Sequence, residues 1–277
     1  MESTLFNFRE AHPIETLFTV AENAGLCLIP VVEIGQTPAY RSAIARIVKR
    51  GRRGVCIRLL RRDLGRSDLS KELAHLISEY DVHLDEVDLL VDYKVIDNFC
   101  PRIIDLTRML PDLSRFRTFT LTSGAFTRNL SGFEKNRQHT LPRLDWVAWR
   151  HQVGQRNFNR KPTFGDYTIQ YAIYEEPPYH PNVSASIRYT FDEYWVIMRG
   201  EGLLNEDGPG YAQYAANAQL LCERSEFCGP DFSYGDRYIH QLSQEIGPVG
   251  NPEVLLRAGI NHHITFAVQQ ISNLPDI

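Results

Sequence analysis

Residues 28–60 read LIPVVEIGQTPAYRSAIARIVKRGRRGVCIRLL and set the architecture of the chain. Leu28 to Ile34 is a nearly continuous apolar run, the pattern of a strand buried on both faces. Pro38 stands where a helix begins, and Tyr40, Ala43, Ile44, Ile47 and Val48 then recur on one helical face. Val55 to Leu60 is apolar and β-branched again. The stretch is therefore a strand, a helix and a second strand, and two such strands pair in parallel with the helix packed outside them.

Working outward, the same alternation continues. Upstream, Ile14, Leu17, Phe18 and Ala21 mark a helix that Gly25 ends, preceded by an irregular arm over 1–12. Downstream, Asp68 is the expected cap of a helix carrying Leu69, Leu73, Leu76, Ile77 and Tyr80. Val87 to Val95 is a strand carrying Asp92. A helix over Ile103, Leu106 and Leu110 follows, between Pro101 and Pro111, and then a strand over Phe116 to Leu121. Residues 123–138 are polar and read as a long loop or lid. A helix follows to about Val153, then a weakly alternating segment from Thr163 to Ile173. A Pro-rich loop spans 175–185, with Pro177, Pro178 and Pro181. Residues 186–200, SIRYTFDEYWVIMRG, predict two short strands around Asp192-Glu193. A helix over 211–222, a short strand over Arg237 to Leu242 and a C-terminal helix on Leu256, Ile260, Ile264 and Val268 close the chain. The expected fold is α/β, a single TIM-like β/α barrel over 1–277. Because the chain opens on a helix, the barrel is expected to be incomplete at its N-terminal unit.

Composition restricts the function classes. Of 277 residues, 43% are hydrophobic and 23% charged, a globular balance. The net charge of −4 gives no overall basic field for nucleic acid. Arginines do cluster at Arg50, Arg52, Arg53, Arg58, Arg61 and Arg62, as a solvated surface or a phosphate-contacting rim. No apolar run is long enough for a membrane helix. The five cysteines, Cys27, Cys56, Cys100, Cys222 and Cys228, form no CxxC pair, and a reduced cytoplasmic location is expected.

No phosphate loop, GxGxxG, HExxH or GxSxG is present. Polar residues at predicted strand ends remain. Glu33, Arg58 and Asp92 lie on the first three strands, and Asp166 follows less clearly. Arg188 and Arg199 lie on the two arms of the hairpin. Carboxylates facing arginines would suit an anionic ligand, with the carboxylates as acid–base groups or magnesium ligands. The same residues would serve equally as an ion-pair layer. Asp236, after Gly235, is either a turn cap or a carboxylate in the same mouth. Of His262 and His263, adjacent on a helix and about 100° apart, only one is expected to face a site, with His263 the candidate. Trp146, Trp149 and Trp195 are core residues or base-stacking platforms. At least one of Arg188 and Arg199 is expected to pair with Glu33, Asp92, Asp166 or Asp236.

Several segments resemble the beta family proteins of phages and bacteria: HPIETLFTVAENAGLCLIPVV, AYRSAIARIVKRGRRGVCIRLLRRDL, EVDLLVDY, ASIRYT with WVIMRG, FCGPDFSYGDRYI and RAGINHHIT. The resemblance covers most of the chain from His12 and implies a TIM-type barrel without an established reaction. Members often extend further at the N-terminus, so this chain is expected to begin late. Two functions follow as expectations. The first is binding of a phosphorylated or nucleic-acid-like anion, small molecule or nucleic acid, with a possible hydrolase or lyase step. The second is a non-catalytic binding or sensing role in a phage-defence or counter-defence assembly, with a protein partner or a second copy of the chain.

Overall fold

The computed structural model describes residues 12–96, 102–110, 113–155, 158–176 and 182–275. Cys100, Pro101, Pro111, Pro177, Pro178, Pro181 and all but the last residue of the 1–12 arm lie outside them. The chain divides into two compact units. The first comprises Met1–Lys94, Pro101–Thr122 and Gln155–Gly165, and the second Val95–Cys100, Ser123–Gly154 and Asp166–Ile277.

The first unit is the strand–helix alternation. Its elements are α1 (Pro13–Asn23), β1 (Val31–Glu33), α2 (Pro38–Gly51), β2 (Val55–Leu60), α3 (Leu69–Glu79), β3 (Val87–Val95), α4 (Ile103–Met109) and β4 (Thr118–Gly124). A short strand is contributed from later in the chain. The five strands form one parallel sheet. In β2, Val55, Ile57 and Leu59 are fully buried, and in β3 Val87, Leu89 and Val91 are too. Pro38 fills the first turn of α2 as expected, with Thr37 as the cap accepting the Tyr40 N–H at 3.3 Å. Asp68 sits at the cap position of α3 but makes no capping bond. Its carboxylate is taken instead by Arg66, through two contacts of 2.9 Å.

The second unit is built on an antiparallel sheet. Here β5 (Arg137–Pro142) and α5 (Leu144–Gln155) precede β6 (Thr163–Gly165), the strand that pairs with β4 in the first sheet. They are followed by β7 (Ser184–Thr190), β8 (Tyr194–Gly202), α6 (Gln213–Cys222), α7 (Tyr234–Ser243) and α8 (Pro252–Ser272). The strand order is β5-β8-β7. The hairpin around Asp192-Glu193 forms where expected, with Arg188 opposite Ile197 and Arg199 opposite Ser186. Three expectations need correction. Residues 137–142, read as the end of a loop to 138 and the start of a helix at Leu141, are a strand paired to β8. Only Thr163–Gly165 of the 163–173 segment is a strand. Residues 237–242 are not a strand but the body of α7, which Ser233 caps by accepting the Asp236 N–H at 3.2 Å. The strands therefore fall into an open parallel sheet and a separate antiparallel one, and their pairing among the described residues does not close into a ring.

The two faces of the β5-β8-β7 sheet are covered differently. Ala185, Ile187, Tyr189, Val196 and Met198 pack with Tyr214, Ala218 and Leu221 of α6, Ile239 and Leu242 of α7 and Leu255 of α8. Trp195 and Ile197, on the other face, pack with Phe126 and Ile169. β7 is an edge strand, and α8 packs against it. The buried face of α8 is Leu255, Ala258, Gly259, His262 and His263. Ile264 and Val268, in the row that predicted this helix, are exposed. Close approach depends on two glycines. A Cβ on Gly259 would lie 2.6 Å from the Arg188 carbonyl oxygen and 2.7 Å from Ile169 Cδ1. One on Gly235 would collide with the Ala258 carbonyl.

Alanine in place of glycine inside a helix ordinarily stabilises by about 1 kcal/mol. At Gly259 the sign should reverse, with a net loss on the order of 1–3 kcal/mol from overpacking. Urea unfolding of Gly259→Ala reads it as a lowered midpoint at unchanged m-value.

Candidate functional site

In the first unit the structure brings together Glu33, Arg58 and Asp92. Parallel register places Glu33 beside Arg58, and Leu60 beside Asp92, at the carboxyl ends of β1, β2 and β3. Arg58 donates from Nε to Asp92 Oδ2 at 2.9 Å and from Nη1 to Glu33 Oε1 at 3.0 Å, and Nη2 also meets Asp92. Asp92 is buried, and its Oδ1 accepts the Lys94 N–H at 2.7 Å. The guanidinium occupies the place between the two carboxylates that a magnesium ion would need, so these residues do not fit a metal without losing the pair. Among the described residues no group of three or more His, Cys, Asp or Glu side chains is arranged to hold a metal ion.

In the second unit α8 straddles the edge of β7, and this buries both histidines instead of one. His262 lies on the α6–α7 side, stacked on Tyr189 with ring centroids 3.6 Å apart. Its Nε2 is 2.8 Å from the Thr190 carbonyl oxygen, which only accepts, so Nε2 carries a hydrogen. Its Nδ1 is 3.0 Å from Asp236 Oδ2. That contact also needs a hydrogen, so one proton is held between imidazole and carboxyl. Asp236 accepts further from Tyr189 Oη and Ser233 Oγ, each at 2.5 Å. Burial opposes ionisation of Asp236, but the His262 contact and these hydroxyls outweigh it and hold its carboxyl below the usual range.

His263 lies on the other side. Its Nε2 is 2.7 Å from Asp166 Oδ2 and its Nδ1 2.8 Å from Thr190 Oγ1. This is the carboxylate–imidazole–hydroxyl chain of a nucleophile relay. Thr190 is nevertheless 0% exposed, so the hydroxyl meets no substrate and the chain acts as a lock on β7. Asp166 is likewise opposed by burial and held low by His263.

Two residues that the sequence reading missed stand close by. Arg143, fully buried, donates from Nη1 to the carbonyls of Phe191 and Asp192 at 2.9 and 3.0 Å and to Gln270 at 2.7 Å, so it ties β5 to the hairpin turn. Asp145, next to it, is pushed up to about 7 by burial and then by the charge of Asp166. No signal in the sequence marked Arg143, because the strand it follows, 137–142, carries no β pattern of its own. Trp146, Trp149 and Trp195 are all buried, which corrects the base-stacking alternative.

Arg188 and Arg199 line one cavity of about 720 Å³ with residues of the 127–131, 170–176 and 252–256 segments. Ser186 faces Arg199 across the strands and Arg188 is two residues along, so both arginines project from one sheet face as diagonal neighbours, roughly 7–8 Å apart. The expected pairing with an acidic residue does not occur. Arg188 Nη1 donates to the Ile169 carbonyl at 2.9 Å, and its guanidinium lies 4.9 Å from the Phe126 ring centroid. Arg199 donates to the Phe133 carbonyl, with Ser184 Oγ at 3.5 Å, and its buried Nε has no partner. No carboxylate among the described residues contacts either. The physical reason lies in their surroundings, a backbone carbonyl and an aromatic face in place of an acid. Burial alone pulls Arg188 down to about 10.

The segments that meet at β7, α7 and α8 are SIRYT, FSYGD and NHHIT. The sequence profile of the family described as Beta protein matches residues 4–269. The chain belongs to the Beta protein family. No curated protein and no solved structure matches it. No helix among the described residues is long and apolar enough to cross a membrane.

Two outcomes test this unit. Asp236→Ala removes one partner of a buried pair and should cost about 3–5 kcal/mol in chemical unfolding. Asp145, raised when folded, binds its proton more tightly in the native state than in the unfolded chain. Its contribution is full below pH ~4 and is lost as pH rises through about 7. Asp145→Asn should therefore gain stability relative to the unsubstituted protein as pH rises from 5 to 8, measured by unfolding at each pH.

Proposed function

We propose that this Beta protein binds an anionic ligand through Arg188 and Arg199 in the cavity of its second unit. The observation that carries this reading is the pair of arginines on one sheet face, lining one cavity, with no carboxylate on either. Arg199 is buried and Arg188 half-buried, and a cation taken out of water without a counter-charge costs free energy that a bound anion would recover. Arginine suits the role because its planar fork grips a carboxylate or phosphate at two points.

The geometry supports binding over turnover. The acid–base candidates Asp236 and His263 are 0% and 1% exposed, and Glu33 and Asp92 are both held by Arg58. A non-catalytic binding or sensing role, in the cytoplasm and linked to phage–host conflict, belongs to this proposal, as does a TIM-like closure of the strand–helix alternation. Support for the non-catalytic role is the burial just described. Support for the closure is the parallel order β1-β2-β3-β4-β6.

Titration calorimetry with inorganic phosphate tests the arginines. Arg188→Lys keeps the charge but loses the fork, and should weaken phosphate at least tenfold without lowering the melting temperature by more than a few degrees. Equal affinity in the two proteins would remove Arg188 from the site.

A further inference from the structure

We propose that the cavity takes a singly phosphorylated ligand bearing a flat ring, in chemical class a nucleoside monophosphate. The inference rests on the anion-binding reading above and names the ligand.

The charge in the cavity limits the number of phosphates. Arg128, Arg188 and Arg199 line it together with Glu175 and Glu176, three cations against two carboxylates, which leaves one positive charge. Arg128 is spent on Glu175, with Nε 2.7 Å from Oε2. Arg188 and Arg199 therefore face the ligand with Glu176 as the remaining acid. Against that single net positive charge one phosphate monoester, at about −1.5 to −2, leaves a small excess, whereas the further charges of a triphosphate would meet the two glutamates.

The rest of the wall fixes what the phosphate is attached to. Arg188 is anchored by a single bond from Nη1, and the remaining edge of its guanidinium has no partner among the described residues. Its ring contact with Phe126 holds the plane of the fork. Tyr171 and Tyr174 line the same space and offer faces on which a ring can stack. Leu255 and Leu256 of α8 supply an apolar wall, and Gln170 a side-chain amide that can both donate to and accept from a base edge. A volume of about 720 Å³ is in the range of small-molecule sites and far exceeds what a lone phosphate fills.

The test measures affinities of the full chain for inorganic phosphate, glycerol phosphate, a nucleoside, its mono- and triphosphate, and an O-phosphotyrosine peptide. The monophosphate should bind at least tenfold more tightly than phosphate, glycerol phosphate or nucleoside, and more tightly than the triphosphate or peptide. Tyr171→Ala should collapse the ratio of monophosphate to phosphate affinity toward one, and Arg188→Lys should bring the monophosphate down to the nucleoside. If phosphate, glycerol phosphate and monophosphate bind equally in an Arg188-dependent way, the ring is excluded while anion binding stands. Tighter binding of the triphosphate or of the peptide overturns the ligand class. If none of the anions binds, both readings fall.

Discussion

The second unit depends on how the edge of β7 is closed. An edge strand presents unpaired carbonyls and N–H groups, and a protein must cover or disguise them. Here a helix does so, at a distance set by Gly259 against the Arg188 carbonyl. One of the exposed carbonyls, that of Thr190, is satisfied by His262 Nε2. The histidine that does this must point its other nitrogen somewhere, and Asp236 receives it. Tyr189 and Ser233 are then recruited because a buried carboxyl needs every oxygen satisfied. The network thus follows from the need to seal one strand, and α7 is drawn into place by it.

The sheet keeps two kinds of work apart. One face is apolar and sealed under α6, α7 and part of α8. The other carries Arg199 and Arg188 at one end and Trp195 and Thr190 at the other. Strand alternation alone achieves this, since Arg188 and Thr190 share a face while Tyr189, between them, takes the opposite one. The polar residues of the 186–190 segment are therefore divided between a cavity and a lock.

The strand–helix units of the first half were legible because their apolar periods are unmixed. Val55–Leu60 and Val87–Val95 coincide with the observed strands. The cluster of Glu33, Arg58 and Asp92 was legible as strand-end residues, although the dominance of Arg58 over both carboxylates was not. In the second half the signal failed where tertiary contacts decide. Residues 137–142, RQHTLP, carry no β signal and form a strand because β8 offers a free edge. Asp236 read as a turn because Gly235 precedes it, whereas that glycine serves a close helix contact. The exclusion of one histidine assumed that a helix faces one environment. A helix lying along a strand edge faces two.

Sealing β7 from so far along the chain has a consequence for synthesis. Thr190 and its partner His262 are separated by 72 positions. At about 5–20 residues per second a ribosome takes roughly 4–14 s to add that length. Through that interval the hairpin has left the tunnel or is leaving it, with its outer edge bare and its closing helix not yet made. The nascent chain is therefore most open to pairing with a stray strand while residues 190–262 are being added, and a pause between codons 190 and 252 would lengthen that exposure.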